Sequence, residues 1–236
     1  MSVATQHYMI TILVYVAANV IAAWGLDLQF GVTGVLNFAF IIFQAVGAYV
    51  AGVLSLGPSS SSAGFESYIG GAHLPFPLPI IGAMLVGGVL AAIVGLITLR
   101  RLRSDYQAMV MLVVSVVATT VVTSETGLFN GAAGLSLIAN PFQGLSGVSP
   151  LTKQWLFVAF CGAVTLVVGA VMYAIVYSPR GRVLRAVREN ERAAEALGRS
   201  ATRARMEVFV IGGALAALSG ALLVEFVGAW APNGWL

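Results

Sequence analysis

SPRGRVLRAVRENERAAEALGRSATRARME, residues 178–207, is a charged stretch between two apolar segments. It holds eight of the twelve Lys and Arg residues of the chain and four of its nine Asp and Glu residues. A long polar segment that favours helix has two interpretations here. It is a solvated loop that orients the chain in a membrane, or it is a helix that docks on another protein.

The composition of the 236-residue chain is that of an integral membrane protein. Apolar residues make up 59% and charged residues 9%, against about 25% charged residues in a typical soluble domain. Several apolar runs reach the roughly 20 residues that a helix needs to span a bilayer. The net charge of +3 comes from arginines beside these runs, without interleaved aromatic residues. We therefore predict contact with membrane lipid and no binding of nucleic acid.

The apolar runs predict a single all-α polytopic membrane domain with about six transmembrane or re-entrant helices. They lie near residues 9–26, 30–56, 80–99, 106–124, 155–177 and 208–230. Two spans separate the arginines at 100–103 from the charged stretch, so the positive-inside rule places both on the cytoplasmic side. The loops 57–79 and 125–154 are then outside, and residues 178–207 form one long cytoplasmic helical loop.

The segment 30–56 contains glycine and polar residues at membrane depth: Gly31, Gly34, Asn37 and Gln44. A broken or re-entrant helix explains them if protein or a water-filled cavity surrounds the freed backbone groups, and transporters use such breaks to form pathways. A short loop followed by an ordinary span explains them too. The ordinary span would put the N-terminus outside, and the re-entrant helix would put it inside.

The chain offers no catalytic set of side chains. It has no phosphate-binding G-x-x-x-x-G-K-[ST] loop, no H-E-x-x-H and no nucleophile elbow, so it cannot hydrolyse ATP itself. Cys161 is the single cysteine, and His7 and His73 are far apart in the sequence. We therefore expect no disulfide, no metal site, no cofactor and no enzymatic activity.

The last span carries small residues at every fourth position in two parallel rows. The rows are Gly212, Ala216 and Gly220, and Gly213, Ala217 and Ala221. Such faces let helix backbones approach closely, and we expect packing within the chain, with a dimer interface as the alternative. Glu225 lies in the same run and is either a functional ionisable group at depth or a group exposed at the membrane interface.

Within the charged stretch the sequence predicts one helix over Arg182–Leu197. Ser178-Pro179 ends the preceding span, good helix formers follow without Gly or Pro, and Gly198 stops the helix as a C′ glycine. The helix would be about 24 Å long. One face would carry Val183, Val187, Ala194 and Leu197. A narrow apolar stripe with a charged back fits a groove in another protein or the membrane surface.

Three regions of the chain resemble the permeases of ATP-binding-cassette (ABC) importers for branched-chain amino acids, of the LivH/LivM type. They are Gly31-Val-Thr-Gly-Val-Leu-Asn-Phe-Ala39 with Gly47-Ala-Tyr49, Leu102-Arg-Ser-Asp-Tyr106 with Asn130-Gly-Ala-Ala-Gly-Leu135, and Ser178 to Gly198 followed by the span Val210–Leu222.

The resemblance implies a type II-like ABC importer permease whose segment 178–207 couples to a cytoplasmic ATPase. The importer motif E-A-A-x-x-x-G matches residues 192–198, with Arg192 in place of the leading Glu. The residues implied in ATPase coupling are Arg185, Arg188, Glu191, Arg192, Ala193, Ala194 and Gly198. Polarity at depth makes Gly31, Gly34, Asn37, Gln44 and Asn130 the candidates for the translocation path.

The implied function is import of branched-chain or other small amino acids across the bacterial inner membrane. The implied partners are cytoplasmic ATP-binding subunits, a second permease subunit and an extracytoplasmic substrate-binding protein. Members of the family usually continue further, so we expect a C-terminally incomplete permease. Two alternatives stay open. One is a stand-alone secondary transporter or channel with a midplane site formed by residues 29–40 and Glu225, and the other is a scaffold subunit without a pathway.

Overall fold

A computed structural model of the protein describes residues 2–57, 71–101, 104–138, 140–142 and 147–232. Within these ranges the chain is all-α, as predicted. The elements are α1 (Val3–Leu26), a π-helical turn (Asp27–Val32), α2 (Phe40–Ser55), α3 (Leu78–Arg101), α4 (Ser104–Ser124), α5 (Thr126–Phe129), a 3₁₀ turn (Gly131–Ala133), α6 (Pro150–Tyr177), α7 (Pro179–Glu189), α8 (Glu191–Ala196) and α9 (Ala201–Val227).

Five helical segments among the described residues are long and apolar enough to cross a membrane. They are Val3–Val32, Leu78–Leu99, Tyr106–Ser124, Pro150–Tyr177 and Ala201–Val227, and the shorter apolar helix Phe40–Ser55 accompanies them. Large apolar side chains on α3, α4 and α6 are exposed, for example Leu85 at 60%, Val116 at 59% and Leu166 at 77%. The prediction of an all-α polytopic membrane protein is therefore confirmed. Most of the predicted loop 57–79 and residues 102–103 of the arginine cluster lie outside the described residues.

Helix α9 lies at the centre of the bundle and packs against α1, α2 and α3. Its small residues make this possible: a methyl group on Gly220 would overlap the Gln44 carbonyl of α2, and one on Gly213 would lie 2.5 Å from the Cβ atom of Ala91 in α3. The prediction that the small-residue faces pack within the chain is confirmed.

The second predicted segment, 30–56, begins differently in the structure. Residues 30–32 continue α1 as the end of the π-helical turn, residues 33–39 are non-helical, and α2 starts at Phe40. A π-helical turn is wider than an α-helical one and commonly marks a functional position. The non-helical segment 33–39 is the interruption that both interpretations of Gly31, Gly34 and Asn37 require, and it is called the break below.

The two ends of the bundle carry different groups. The carbonyl of Gly31 accepts a hydrogen bond from Arg188, so the C-terminal end of α1 lies beside the charged stretch. At the other end, Ser55 of α2 contacts Glu225 of α9. Since α2 runs alongside α9 from one end towards the other, it does not turn back, and the N-terminal end of α1 lies opposite the charged stretch.

Candidate functional site: the charged end of the bundle and the break behind it

The charged stretch forms α7, α8 and the first turns of α9, and the prediction of one helix over Arg182–Leu197 is wrong because α7 and α8 divide that range. Asn190 separates α7 from α8 with an extended backbone (φ −153°, ψ 99°), and its side chain accepts a hydrogen bond of 3.0 Å from the Ala193 amide. Asn caps helix N-termini better than it fits helix interiors, because its side chain competes for backbone groups. Gly198 ends α8 at φ +77°, as predicted.

The apolar face of α7 and α8 is buried against the protein's own bundle. Val187 and Ala194 are buried as the stripe predicts, and so is Leu184, which the prediction missed although it lies three residues before Val187. Leu197 is 82% exposed, so its placement on the buried face is wrong. Leu197 is the C-cap that follows the last residue of α8, Ala196, so helical spacing no longer places it on the buried face. Apart from Leu197, the surface that remains open to other molecules is mainly the charged one.

Three of the predicted coupling residues bind other parts of the same chain. Arg188 donates to the Gly31 carbonyl, and Arg185 donates to the Val176 carbonyl over 3.5 Å. Glu191 forms a two-pronged ion pair with Arg205 of α9, with N–O distances of 2.9 and 3.0 Å. These contacts hold the charged stretch against the bundle.

The other four predicted coupling residues are on α8 or end it. Arg192, Ala193 and Gly198 are exposed, whereas Ala194 is buried and anchors the helix. Exposed Glu195 lies on the same short helix. Between α3, α7 and α9 a cleft of about 840 Å³ opens, with Arg180, Arg203 and Glu207 on its wall.

Behind the charged stretch, the break after α1 is closed by a polar cluster centred on Gln29. This residue is fully buried; its amide donates to the Phe209 carbonyl of α9 over 3.1 Å, and its oxygen accepts from Asn37 over 3.0 Å. The Asn37 oxygen in turn accepts from the Ala39 amide. Gln29 is absent from the predicted site, although a polar amide at the end of an apolar run was the available signal.

The freed backbone groups of the break find partners within the protein. The Val35 amide donates to the Gln29 carbonyl over 2.8 Å, and Gln107 of α4 donates to the Leu36 carbonyl over 3.4 Å. Thr33 donates to the Leu28 carbonyl over 3.1 Å. Non-helical backbone at membrane depth is stable only with such partners.

The predicted path residues lie at three levels of the bundle. Gly31, Gly34 and Asn37 lie together at the break. Gln44 is further along α2, where it donates to Ser219 of α9 over 3.1 Å. Asn130 has a left-handed backbone in the loop at the other end and donates to the Gly134 carbonyl over 2.7 Å. The structure therefore does not bring the five residues into one site.

Glu225 is buried with 2% of its surface exposed, so exposure at the membrane interface is wrong. Ser55 contacts one of its carboxylate oxygens over 3.4 Å, and the other oxygen has no hydrogen-bond partner among the described residues. Glu225 lies sixteen residues after Phe209 on α9, roughly 24 Å along the helix. Residues 29–40 and Glu225 therefore do not share a site. Among the described residues, no cluster of His, Cys, Asp and Glu could hold a metal ion.

The fold and the site define a polytopic membrane protein with a rigid, charged surface at one end of its bundle. Comparison with known families identifies the kind of membrane protein. The family described as branched-chain amino acid transport system / permease component matches residues 8–235. The chain belongs to this family of permeases, which confirms the resemblance noted from its sequence.

The chain is also similar to individual permeases. The "probable branched-chain amino acid transport permease protein LivM" of Methanocaldococcus jannaschii is 28% identical over 229 residues, covering 89% of this chain and 65% of the relative. The "high-affinity branched-chain amino acid transport system permease protein LivM" of Salmonella typhimurium is 27% identical, covering 92% of this chain and 52% of the relative. The chain thus spans between half and two thirds of these curated relatives. No solved structure gives a significant match.

Membership of this family and the five apolar helices among the described residues make the chain a multi-pass protein of the cell membrane. The roles of the individual site residues stay predictions.

Proposed function

We propose that the chain is the transmembrane subunit of an ABC importer for branched-chain or other small amino acids, driven by a separate ATPase that docks on residues 178–207. The observation that carries this proposal is the exposed helix α8. It offers Arg192, Ala193 and Glu195 to other molecules while its inner face is fixed to the bundle.

A docking helix must transmit force, and α8 is held firmly enough to do so. Asn190 caps its start, the Glu191–Arg205 ion pair ties its first turn to α9, and buried Ala194 anchors its middle. A partner that pushes on this helix would therefore push on α9, the central helix of the bundle.

The alternative location for an amphipathic helix, the membrane surface, is unsupported by this geometry. A surface-lying helix inserts its apolar face between lipids, but the apolar residues Leu184, Val187 and Ala194 are already buried in the protein. What remains outside is a mixture of Arg, Glu and Ala, with Leu197 at the end of α8 as a single large apolar side chain. Such a surface suits a cleft in another protein that offers complementary charges and room for a close approach at Ala193.

The orientation of the protein in the membrane and the substrate class are inferred from other observations. The arginine-rich end of the bundle belongs in the cytoplasm by the positive-inside rule, which is where an ATPase would dock. The relatives' names specify branched-chain amino acid transport, and we transfer this substrate class to the chain. A second permease subunit and an extracytoplasmic substrate-binding protein complete the proposed importer.

The docking proposal is tested by a bulky substitution at the exposed alanine. The permease is produced together with candidate ATP-binding subunits from the same organism, and co-purification of these subunits is measured together with ATP-dependent uptake of labelled leucine in proteoliposomes. Ala193→Trp should weaken ATPase binding at least about tenfold, because a large side chain at the centre of an interface costs well over 1 kcal/mol.

The matched control is Ala132→Trp, which enlarges an exposed alanine in the loop at the opposite end of the bundle. This variant should keep the ATPase. Full ATPase binding by Ala193→Trp would contradict docking at α8. Uptake driven by an ion gradient without any ATPase would instead favour the stand-alone transporter.

A further inference from the structure

We propose that Arg188 acts inside the permease, as the residue that ties the docking helices to the broken end of α1. In this role it is a positioning residue that transmits movement and does not contact the ATPase. The inference rests on the proposed function, since it concerns how docking is converted into movement of the spans.

The contact is specific to this arginine. Arg188 extends from α7 across the break, and its guanidinium donates to the Gly31 carbonyl. This carbonyl belongs to the last turn of a helix, where backbone acceptors lack helical partners and a cation is favoured. The aliphatic part of the side chain passes over Gly34, where an added Cβ atom would lie 3.2 Å from Cγ of Arg188.

Gly34 also has a backbone that favours glycine, with φ at +75°. The turn after Gly31 therefore needs glycine both for its conformation and for the passage of Arg188. Arg188 is exposed to solvent overall, but its guanidinium is bound to the Gly31 carbonyl and its aliphatic stem lies over Gly34, so both parts of the side chain contact the break.

The connection continues from the break to the central helix. Gly31 lies two residues after Gln29, whose backbone carbonyl holds the Val35 amide and whose side chain binds the Phe209 carbonyl of α9. Pulling on the Gly31 carbonyl must therefore move the turn that carries Gln29. This turn is π-helical, and such turns frequently occur at functional sites.

Substitutions of Arg188 and of the exposed face of α8 should therefore have different effects on the importer. Loss of a surface contact with the ATPase prevents assembly. Loss of an internal connection leaves the complex assembled and able to hydrolyse ATP, but hydrolysis no longer moves substrate.

The first test compares Arg188→Met with Ala193→Trp in the complete importer in proteoliposomes. We expect Arg188→Met to retain ATPase binding and ATP hydrolysis and to lower leucine uptake per ATP hydrolysed about tenfold, a typical coupling effect. An unchanged ratio of uptake to hydrolysis would overturn the proposal. Loss of ATPase binding by Arg188→Met would also overturn it, because Arg188 would then be a partner contact.

The second test replaces the connection by a covalent bond. A Cβ atom on Gly34 would lie 3.9 Å from Cβ of Arg188, within the range of about 3.5–4.5 Å found in disulfides. Gly34→Cys and Arg188→Cys, combined with Cys161→Ser, should therefore form a disulfide under mild oxidation. Each cysteine alone, in the same Cys161→Ser background, is the control for non-specific oxidation.

The disulfide should restore the coupling of uptake to ATP hydrolysis that is lost with the arginine. The reduced protein lacks the Arg188 contact and should be uncoupled, whereas the oxidised protein should regain uptake per ATP hydrolysed. Failure of the disulfide to form, in a protein that binds the ATPase as the wild type does and is therefore folded, would show that the two positions do not meet. An oxidised protein that remains uncoupled would overturn the role of this contact. If Ala193→Trp leaves ATPase binding intact, the docking proposal fails instead, and the disulfide still reports on the contact.

Discussion

Replacing Gln29 by methionine tests whether the break after α1 is a built polar cluster. Methionine has nearly the same length but cannot bond to Asn37 or to the Phe209 carbonyl. The Phe209 carbonyl still accepts its regular backbone hydrogen bond within α9. Losing the additional bond from Gln29 therefore costs little free energy of unfolding. The amide of Asn37, a residue with 7% of its surface exposed, is left buried without its acceptor, which costs about 1–3 kcal/mol.

Reversible unfolding of the detergent-solubilised protein by SDS, followed by circular dichroism, measures this change. The control is Asn19→Leu, since the Asn19 side chain is exposed on α1 and donates to the carbonyl of Tyr15, four residues earlier on the same helix. This control should alter the free energy of unfolding by less than about 0.5 kcal/mol.

A double-mutant cycle with Asn37→Ala then isolates the bond itself. Side-chain hydrogen bonds in membrane proteins contribute about 0.6 kcal/mol on average and up to about 1.7 kcal/mol, so we expect a coupling energy in that range. The cluster would be refuted if Gln29→Met were as stable as the wild type and if the effects of Gln29→Met and Asn37→Ala on the free energy of unfolding were additive within about 0.3–0.5 kcal/mol.

Three further predictions concern the packing of α9 and the charged stretch. Gly220→Ala should destabilise the protein by about 1–3 kcal/mol in the same titration, because the added methyl group meets a backbone carbonyl of α2. Gly162→Ala places its methyl group in open space and should not destabilise the protein. Equal effects of the two substitutions would contradict the packing. Asn190→Ala should cost about 1 kcal/mol and speed hydrogen exchange in α8, since the N-cap is lost; unchanged exchange would contradict the cap. Glu191→Ala and Arg205→Ala should show a coupling of about 0.2–1 kcal/mol that salt reduces, and a coupling of zero would remove this anchor.

The sequence predicts most of the fold because lipid imposes simple rules. Apolar length gives the spans, and small residues at every fourth position identify α9 as the helix that neighbours approach most closely. The prediction at the charged stretch was less accurate. By helix propensity, Asn190 is a single weak helix former among strong ones. Its side chain, however, can accept a hydrogen bond from a backbone amide in place of a helical carbonyl, and this N-cap divides the helix in two.

The roles of individual charged residues could not be read from the sequence. Arg188 and Arg192 are four residues apart and look equivalent in an arginine-rich helix. The break at Asn190 lies between them, so one points at the bundle and the other away from it. Only the three-dimensional path of α1, which ends beside α7, shows that Arg188 has a backbone acceptor within reach.

The break itself argues for a function beyond spanning the membrane. A continuous helix through residues 27–55 would satisfy its own backbone and would need none of the partners observed. Instead, the freed groups are bound by side chains from three places: from the break itself (Gln29 and Asn37), from α4 (Gln107) and from α7 (Arg188). Gln29 connects the break to α9, Gln107 connects it to α4 and Arg188 connects it to α7, whereas Asn37 binds within the break. If a partner docks on the charged stretch as proposed, the break is therefore the place where movement of α7 would reach the spans.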